Sequence, residues 1–135
     1  MRYIVLDTNC LLQMISRHSP YYAIWQSFQL GRYYLCVSND IISEYREIIG
    51  RIANSLVAEG VTEAIMNSPY CLRYDPHFHF NLIQQDPDDN KFVDCAIISN
   101  ADYIVSDDSH FRVLRSIPYP RVKVVSLNQF FKDMK

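Results

Sequence analysis

Residues 3–7 read YIVLD, a four-residue apolar run that stops against a carboxylate. Toward the other end of the chain, residues 101–108 read ADYIVSDD, another short apolar run, Tyr103-Ile104-Val105, ending in acids after a single serine. Short continuous apolar runs of this kind suit strands covered on both faces, as in a parallel sheet. Residues 33–37 (YYLCV) and 122–125 (VKVV) are also β-prone. Between these runs the period changes to that of helices. Residues 8–17 carry Cys10, Leu11, Met14 and Ile15 at helical spacing. Ser19-Pro20 reads as the start of a second helix that Gly31 ends, and Ser38 as the cap of a long one. The stripe Ile41, Ile42, Tyr45, Ile48, Ile49 and Ile52 belongs to that long helix, with Gly50 a candidate kink. A short helix at 61–67, an extended stretch at 77–83, and a helix capped by Asp88 or Asp89 with Phe92, Val93, Ala96 and Ile97 inward follow. Residues 108–115 form a helical turn or two, and Ser126 to Gln129 is a capping-box pattern opening a last helix. Strands alternating with helices predict an α/β fold, a three-layer α/β/α sandwich around a central parallel sheet.

The chain has 135 residues, enough for one domain spanning 1–135. A chain of this size buries roughly 70% of the surface its unfolded form exposes. With 49% hydrophobic and 21% charged residues the composition is that of a globular protein, not a disordered one. The formal charge of −2 excludes a strongly basic nucleic-acid coat protein, though not a local basic patch. No apolar run approaches the roughly 18 residues of a membrane span, and the first is too short for a signal-peptide core of about 7–15. Cys10, Cys36, Cys71 and Cys95 are widely spaced, which predicts buried reduced thiols and a cytoplasmic setting.

The acids fall where chemistry is done in such sheets. Asp7 follows the first strand directly, and Asp107 and Asp108 follow 103–105. Ligands of open α/β sheets bind beyond the carboxyl ends of the strands. Glu44, on the second turn of its helix, and Asp94, about five residues into its own, lie near helix starts that border the same crevice. Residues 86–108 hold seven acids against one base, a formal charge of −6, whereas 109–135 hold six bases against one acid, +5. An acidic pocket beside a basic flank suits a metal-dependent phosphodiesterase, with carboxylates for the cation and arginines for phosphates. Two carboxylates about 4 Å apart repel by roughly 4 kcal/mol at an effective dielectric of 20, so converging acids need a cation or a proton. Hard oxygen donors favour Mg²⁺ or Mn²⁺. Any one acid is also accounted for as a helix cap or turn residue. Asp88 and Asp89 suit plain caps, Asp102 a turn; the joint placement of Asp7, Glu44, Asp94 and Asp108 is harder to assign to capping.

At these residues the sequence resembles a PIN domain: VLDTN at 5–9, SEY at 43–45, DPDDNKFVDCA at 86–96 and ADYIVSDD at 101–108, followed by His110-Phe111. Order and spacing match over nearly the whole chain, and the pattern is most like the subfamily described as toxin components of toxin–antitoxin systems. VapC-like toxins are more distant. The resemblance implies a central parallel sheet, an acidic pocket for Mg²⁺ or Mn²⁺, endonucleolytic cleavage of RNA and an antitoxin partner. It carries the family's acids onto Asp7, Glu44, Asp94 and Asp108 as catalytic and metal-binding residues. Ser106 stands for the family's threonine and keeps the hydroxyl. Asn9 matches a polar residue that orients Asp7 or a metal-bound water. In the implied mechanism Asp7, Asp94 and Asp108 hold a cation and Glu44 holds a second or orients the attacking water, leaving a 5′-phosphate and a 3′-hydroxyl.

Other residues are weaker candidates. Arg112 and Arg115, three apart, are placed to grip phosphate or to be solvated; His110 to touch substrate or to serve a turn. His77 and His79 form an H-x-H that suits surface side chains better than a metal site. Trp25 with Tyr21, Tyr22 and Phe28 makes an aromatic face, core in the first instance and otherwise a homodimer or antitoxin surface. A haloacid-dehalogenase-like phosphatase is disfavoured because Asn9 stands where a second aspartate is required. A receiver-type phosphoacceptor domain lacks its acidic pair. A non-catalytic PIN-fold binding module and a housekeeping RNA-processing nuclease remain as alternatives.

Overall fold

The two apolar runs that end in acids lie side by side. In the computed structural model, Arg2–Leu6 (β1) pairs in parallel with Tyr103–Val105 (β4), Ile4 opposite Tyr103 and Leu6 opposite Val105. The structure describes residues 1–83 and 87–134. Asp86, with which the acidic stretch opens, and Lys135 of the basic one lie outside the described residues.

On the other side of β1 runs Tyr33–Val37 (β2), then Cys71–Arg73 (β3), while Val124–Val125 (β5) extends the sheet beyond β4. The order β3-β2-β1-β4-β5 is parallel throughout. The chain winds outward one way from β1 to β3, then returns to the far side of β1 for β4 and β5. Parallel crossovers are right-handed, so the two directions of winding place helices on opposite faces. The helices are Thr8–Met14 (α1), Tyr22–Gln29 (α2), Asn39–Ile52 (α3), Ser55–Met66 (α4), Asn90–Ser99 (α5) and Leu127–Asp133 (α6). The fold is α/β, as the sequence predicts. On one face Phe130 of α6 meets Tyr33 of β2 and Tyr103 of β4 edge to face, with ring centroids 5.1 and 5.9 Å apart, and Phe28 of α2 lies tilted on Tyr33 at 5.8 Å. α5 packs against β1, β2 and β4.

Local chemistry accounts for where the elements depart from the sequence pattern. α1 stops at Met14 rather than Arg17, and α2 starts at Tyr22 rather than Pro20. Ser16 and Ser19 accept backbone N–H groups from His18 and Tyr21, favouring turns over helix. Gly31 ends α2 at φ 75°, with the Tyr70 ring packed where a Cβ would stand. α3 runs unbroken through Gly50. α4 begins six residues earlier than the expected 61–67 helix, because the Asn54 side chain caps it by accepting from the Val57 N–H. Residues 77–83 form no strand; the third strand of that half is the three-residue β3. Trp25 and Phe28 are core, with Tyr21 and Tyr22 half-buried. Cys10, Cys36 and Cys95 are buried free thiols, and Cys71 is partly covered. Among the described residues no helix is long and apolar enough to cross a membrane.

Candidate active site

The winding reverses at β1, so the carboxyl ends of β1 and β4 form the crevice where ligands bind in such sheets. Asp7 is drawn into it by its own backbone: its N–H donates to the Val105 carbonyl at 3.0 Å, extending the β1–β4 ladder by one bond. Its side chain is 6% exposed. The Ser106 hydroxyl donates to Asp7 Oδ2 at 2.7 Å and accepts the Asp108 N–H at 3.0 Å. One hydroxyl thus ties the acid after β1 to the acid after β4, a use that serine serves as well as threonine. Asp108 Oδ1 in turn accepts the His110 N–H at 2.9 Å, capping the 3-10 segment Ser109–Ser116.

The start of α5 distributes its polar residues in several directions. Asn90 and Asp94 are four apart and share a helix face, and both hold the 77–83 loop. Asn90 accepts the Ile83 N–H at 2.9 Å and donates to its carbonyl at 2.8 Å. Asp94, 2% exposed, accepts the Phe80 N–H at 3.1 Å through one oxygen and lies 3.2 Å from His79 Nδ1 through the other. Asp89 stands one residue before the helix and makes no side-chain cap bond. Its Oδ2 lies 3.2 Å from His110 Nδ1, which is 3.5 Å from Asp108 Oδ1. Asp89, Asp108 and His110 can each offer a ligand atom within 4.8 Å of the others. Asp89, expected as a cap, therefore meets Asp108, while Asp94 is bonded to the loop. Only the helical register distinguishes the two, and the sequence does not fix where α5 begins closely enough to show it.

Glu44 approaches from the second turn of α3, whose N-terminus Ser38 caps through the Ile41 N–H. The Tyr45 hydroxyl, next in sequence, donates to the Leu6 carbonyl and so fixes α3 to the end of β1. Glu44 Oε2 accepts from the Thr8 hydroxyl, and Oε1 lies 2.8 Å from Lys91 Nζ. Asn9 is exposed, and its backbone N–H donates to Asp7. Asp107 turns away: it accepts the Leu127 N–H at 3.2 Å, helping Ser126 cap α6. His77 is exposed. Arg112 and Arg115 are also exposed and line, with Ser106, Asp108 and Phe111, a cleft of about 190 Å³. A neighbouring cleft shares Arg115 and Val124 and continues past Arg121 and Lys123.

Burial is the largest cause raising the Asp7 carboxyl above its ordinary range, with the charges of Asp108 and Glu44 adding to it; the bonds from Ser106 and the Asn9 N–H oppose the shift. Bringing these like charges together has a cost that a divalent cation would remove. Ligand atoms on an octahedral ion with bonds of about 2.1 Å are roughly 3 Å apart when cis and 4.2 Å when trans. The Asp89, Asp108 and His110 separations are close to this range, and a set dominated by carboxylate oxygens suits a hard cation.

Comparison with known proteins yields likenesses of two kinds. A family model described as PIN domain matches residues 3–110. Among solved structures, the crystal structure of VapBC2 from Rickettsia felis, bound to a DNA fragment from their promoter, superimposes with a TM-score of 0.63. The alignment covers 92% of this chain and 98% of that one at 14% identity, which shows a shared fold. The search of curated proteins returns no match.

Proposed function

The chain belongs to the PIN domain family, and from that premise we propose that it is a divalent-metal-dependent endoribonuclease acting as the toxin of a toxin–antitoxin pair. The observation that carries the proposal is the meeting of acids at the β1–β4 crevice. Asp7 and Asp108 are joined through the Ser106 hydroxyl, and Asp89 is brought to Asp108 across His110.

We take Asp7, Asp89 and Asp108 as the residues that would hold Mg²⁺ or Mn²⁺, with Glu44 beside them. Asp94, which the family resemblance marks as a ligand, is better accounted for by its two bonds to the 77–83 loop. The bound cation supplies Lewis-acid polarisation of the phosphodiester and a water of lowered pKa. The protein's own residues do the rest. Ser106 fixes the Asp7 carboxylate, Asn9 stands at the rim beside it, and Arg112 and Arg115 meet the phosphates of an RNA strand lying in the adjoining cleft. Arginine suits that task, because its planar donors pair with phosphate oxygens. In-line attack leaves a 5′-phosphate and a 3′-hydroxyl. The antitoxin is a proposal resting on the family resemblance; the VapBC2 structure supports it only as a likeness of fold.

The test is cleavage of single-stranded RNA by the purified chain with Mn²⁺, alongside growth of cells expressing it. The expected outcome is cleavage that EDTA stops and that Asp7→Asn abolishes, with growth arrest by the wild type alone. Full cleavage in Asp7→Asn, or in excess EDTA, would overturn the proposal. Metal binding without cleavage would instead identify a binding module, and cleavage without growth arrest a housekeeping nuclease.

A further inference from the structure

Resting on the nuclease function proposed above, the ion pair between Glu44 and Lys91 carries an inference about how many cations the site takes. Both oxygens of Glu44 are engaged, one by the Thr8 hydroxyl and one by Lys91 Nζ at 2.8 Å. The two side chains are 23% and 21% exposed, so the pair is largely withdrawn from bulk water and weakly screened by salt. Thr8, Glu44 and Lys91 come from three separate elements. Thr8 follows Asp7, Glu44 stands in α3, and Lys91 lies two residues past Asp89. The ammonium is therefore held at the carboxylate whose charge bears on Asp7, by a hydrogen-bonded ion pair.

Charge makes the placement consequential. Asp108 and Glu44 both bear electrostatically on Asp7, and Asp89 lies beside Asp108, so four carboxylates contribute charge here and one divalent ion balances two of them. Two-metal phosphodiesterases supply the remaining positive charge with a second ion about 3.5–4 Å from the first. Here a lysine already supplies a positive charge at Glu44, the one acid of the four that neither Ser106 nor His110 ties to the others. We propose that Lys91 takes the place of the second cation, so that the site holds a single Mg²⁺ or Mn²⁺. Lys91 acts as a positioning residue, holding Glu44 in place and offsetting its charge without itself touching the reacting atoms.

The experiment counts Mn²⁺ bound by the full chain, by titration calorimetry and electron paramagnetic resonance, with cleavage measured in parallel. Wild type is expected to bind one ion. Lys91→Met is expected to bind two, the second through the freed Glu44 carboxylate, with cleavage lowered about 10–100-fold, the range for a group that orients a metal site. Lys91→Arg keeps the charge and is expected to bind one ion and retain most activity, which serves as the folded control. The double variant Lys91→Met/Glu44→Gln should return to one ion, because the second requires both the lost ammonium and the retained carboxylate. Two ions in wild type, or one in Lys91→Met, would overturn the inference and leave the nuclease function standing. No Mn²⁺ bound by wild type would remove both.

Discussion

Asp7 shows at the level of one residue how the site works against the fold. Its carboxyl is raised above the ordinary 3.8, first by burial and then by Asp108 and Glu44. Between the ordinary value and the raised one the native chain binds more protons than the unfolded chain, so stability falls as pH rises through that window. Below the window both states are protonated and the residue is neutral in this respect; above it, the buried charge counts fully against folding. Metal-free Asp7→Asn is therefore expected to melt above wild type at pH 7, with the difference shrinking as the pH falls through the window and gone below 3.8. Calorimetry in EDTA at both pH values checks this, and a wild type that melts at or above the variant at pH 7 would sink the electrostatic account. Adding Mn²⁺ should reverse the order. A ligand at 100 times its Kd stabilises the state that binds it by about 2.7 kcal/mol, and Asp7→Asn lacks a ligand with which to claim that gain.

At the scale of the element, the start of α5 sends Asp89 toward Asp108 and Asp94 into the 77–83 loop, and on the proposed function only the first serves a metal. Asp89→Asn is expected to weaken Mn²⁺ binding strongly, with a smaller loss of melting temperature in the metal-free chain from its contact with His110. Asp94→Ala should do the opposite. It strips the Phe80 N–H and His79 of their acceptor and is expected to cost about 2–3 kcal/mol, as for lost bonds to a charged acceptor. Mn²⁺ affinity measured beside thermal stability for the two variants separates these roles, and a larger loss of Mn²⁺ affinity in Asp94→Ala would return Asp94 to the metal. The same helix shows how far the sequence could be read. β1 and β4 were legible because central strands of a parallel sheet must be apolar on both faces, and the positions of Asp7 and Asp108 beyond the strand ends were legible with them, Asp7 directly after β1 and Asp108 three residues after β4 ends. β3 was not: Cys71-Leu72-Arg73 is short and lies at the sheet edge, so its composition is hardly constrained. The 77–83 loop alternates like a strand, yet its backbone is satisfied by Asn90 and Asp94, side chains from another element that no local pattern reveals. Asp89 and Asp94 are both acids at the start of an amphipathic helix. Their different destinations depend on where the first turn begins, and the short 3-10 turn Pro87–Asp89 that shifts it leaves no periodic signature.

Across the whole molecule the distribution of charge matters more than its total. The net charge of −2 gives little general attraction to nucleic acid, and the acids around Asp7 and Asp108 repel phosphates. On the proposed nuclease function, RNA binding would then rely on the basic segment that follows Asp108, where Arg112 and Arg115 share a cleft with that residue and Arg121 and Lys123 line the next. A strand seated there releases counterions in proportion to the phosphates neutralised, with a slope of about −0.7 in log K against log salt per contact for single strands. If Arg112 and Arg115 each meet one phosphate, replacing both by alanine should flatten the slope by about 1.4 and weaken binding most at low salt. The measurement is fluorescence anisotropy of a labelled single-stranded RNA on the Asp7→Asn background, which removes cleavage from the signal, across a range of salt concentrations. An unchanged slope would show that these arginines are solvated surface and that the strand takes another route to the acids. The same titration with Arg121→Ala/Lys123→Ala then measures whether the path continues along the neighbouring cleft. A further decrease in slope extends it there, and no decrease confines contact to the cleft beside Asp108.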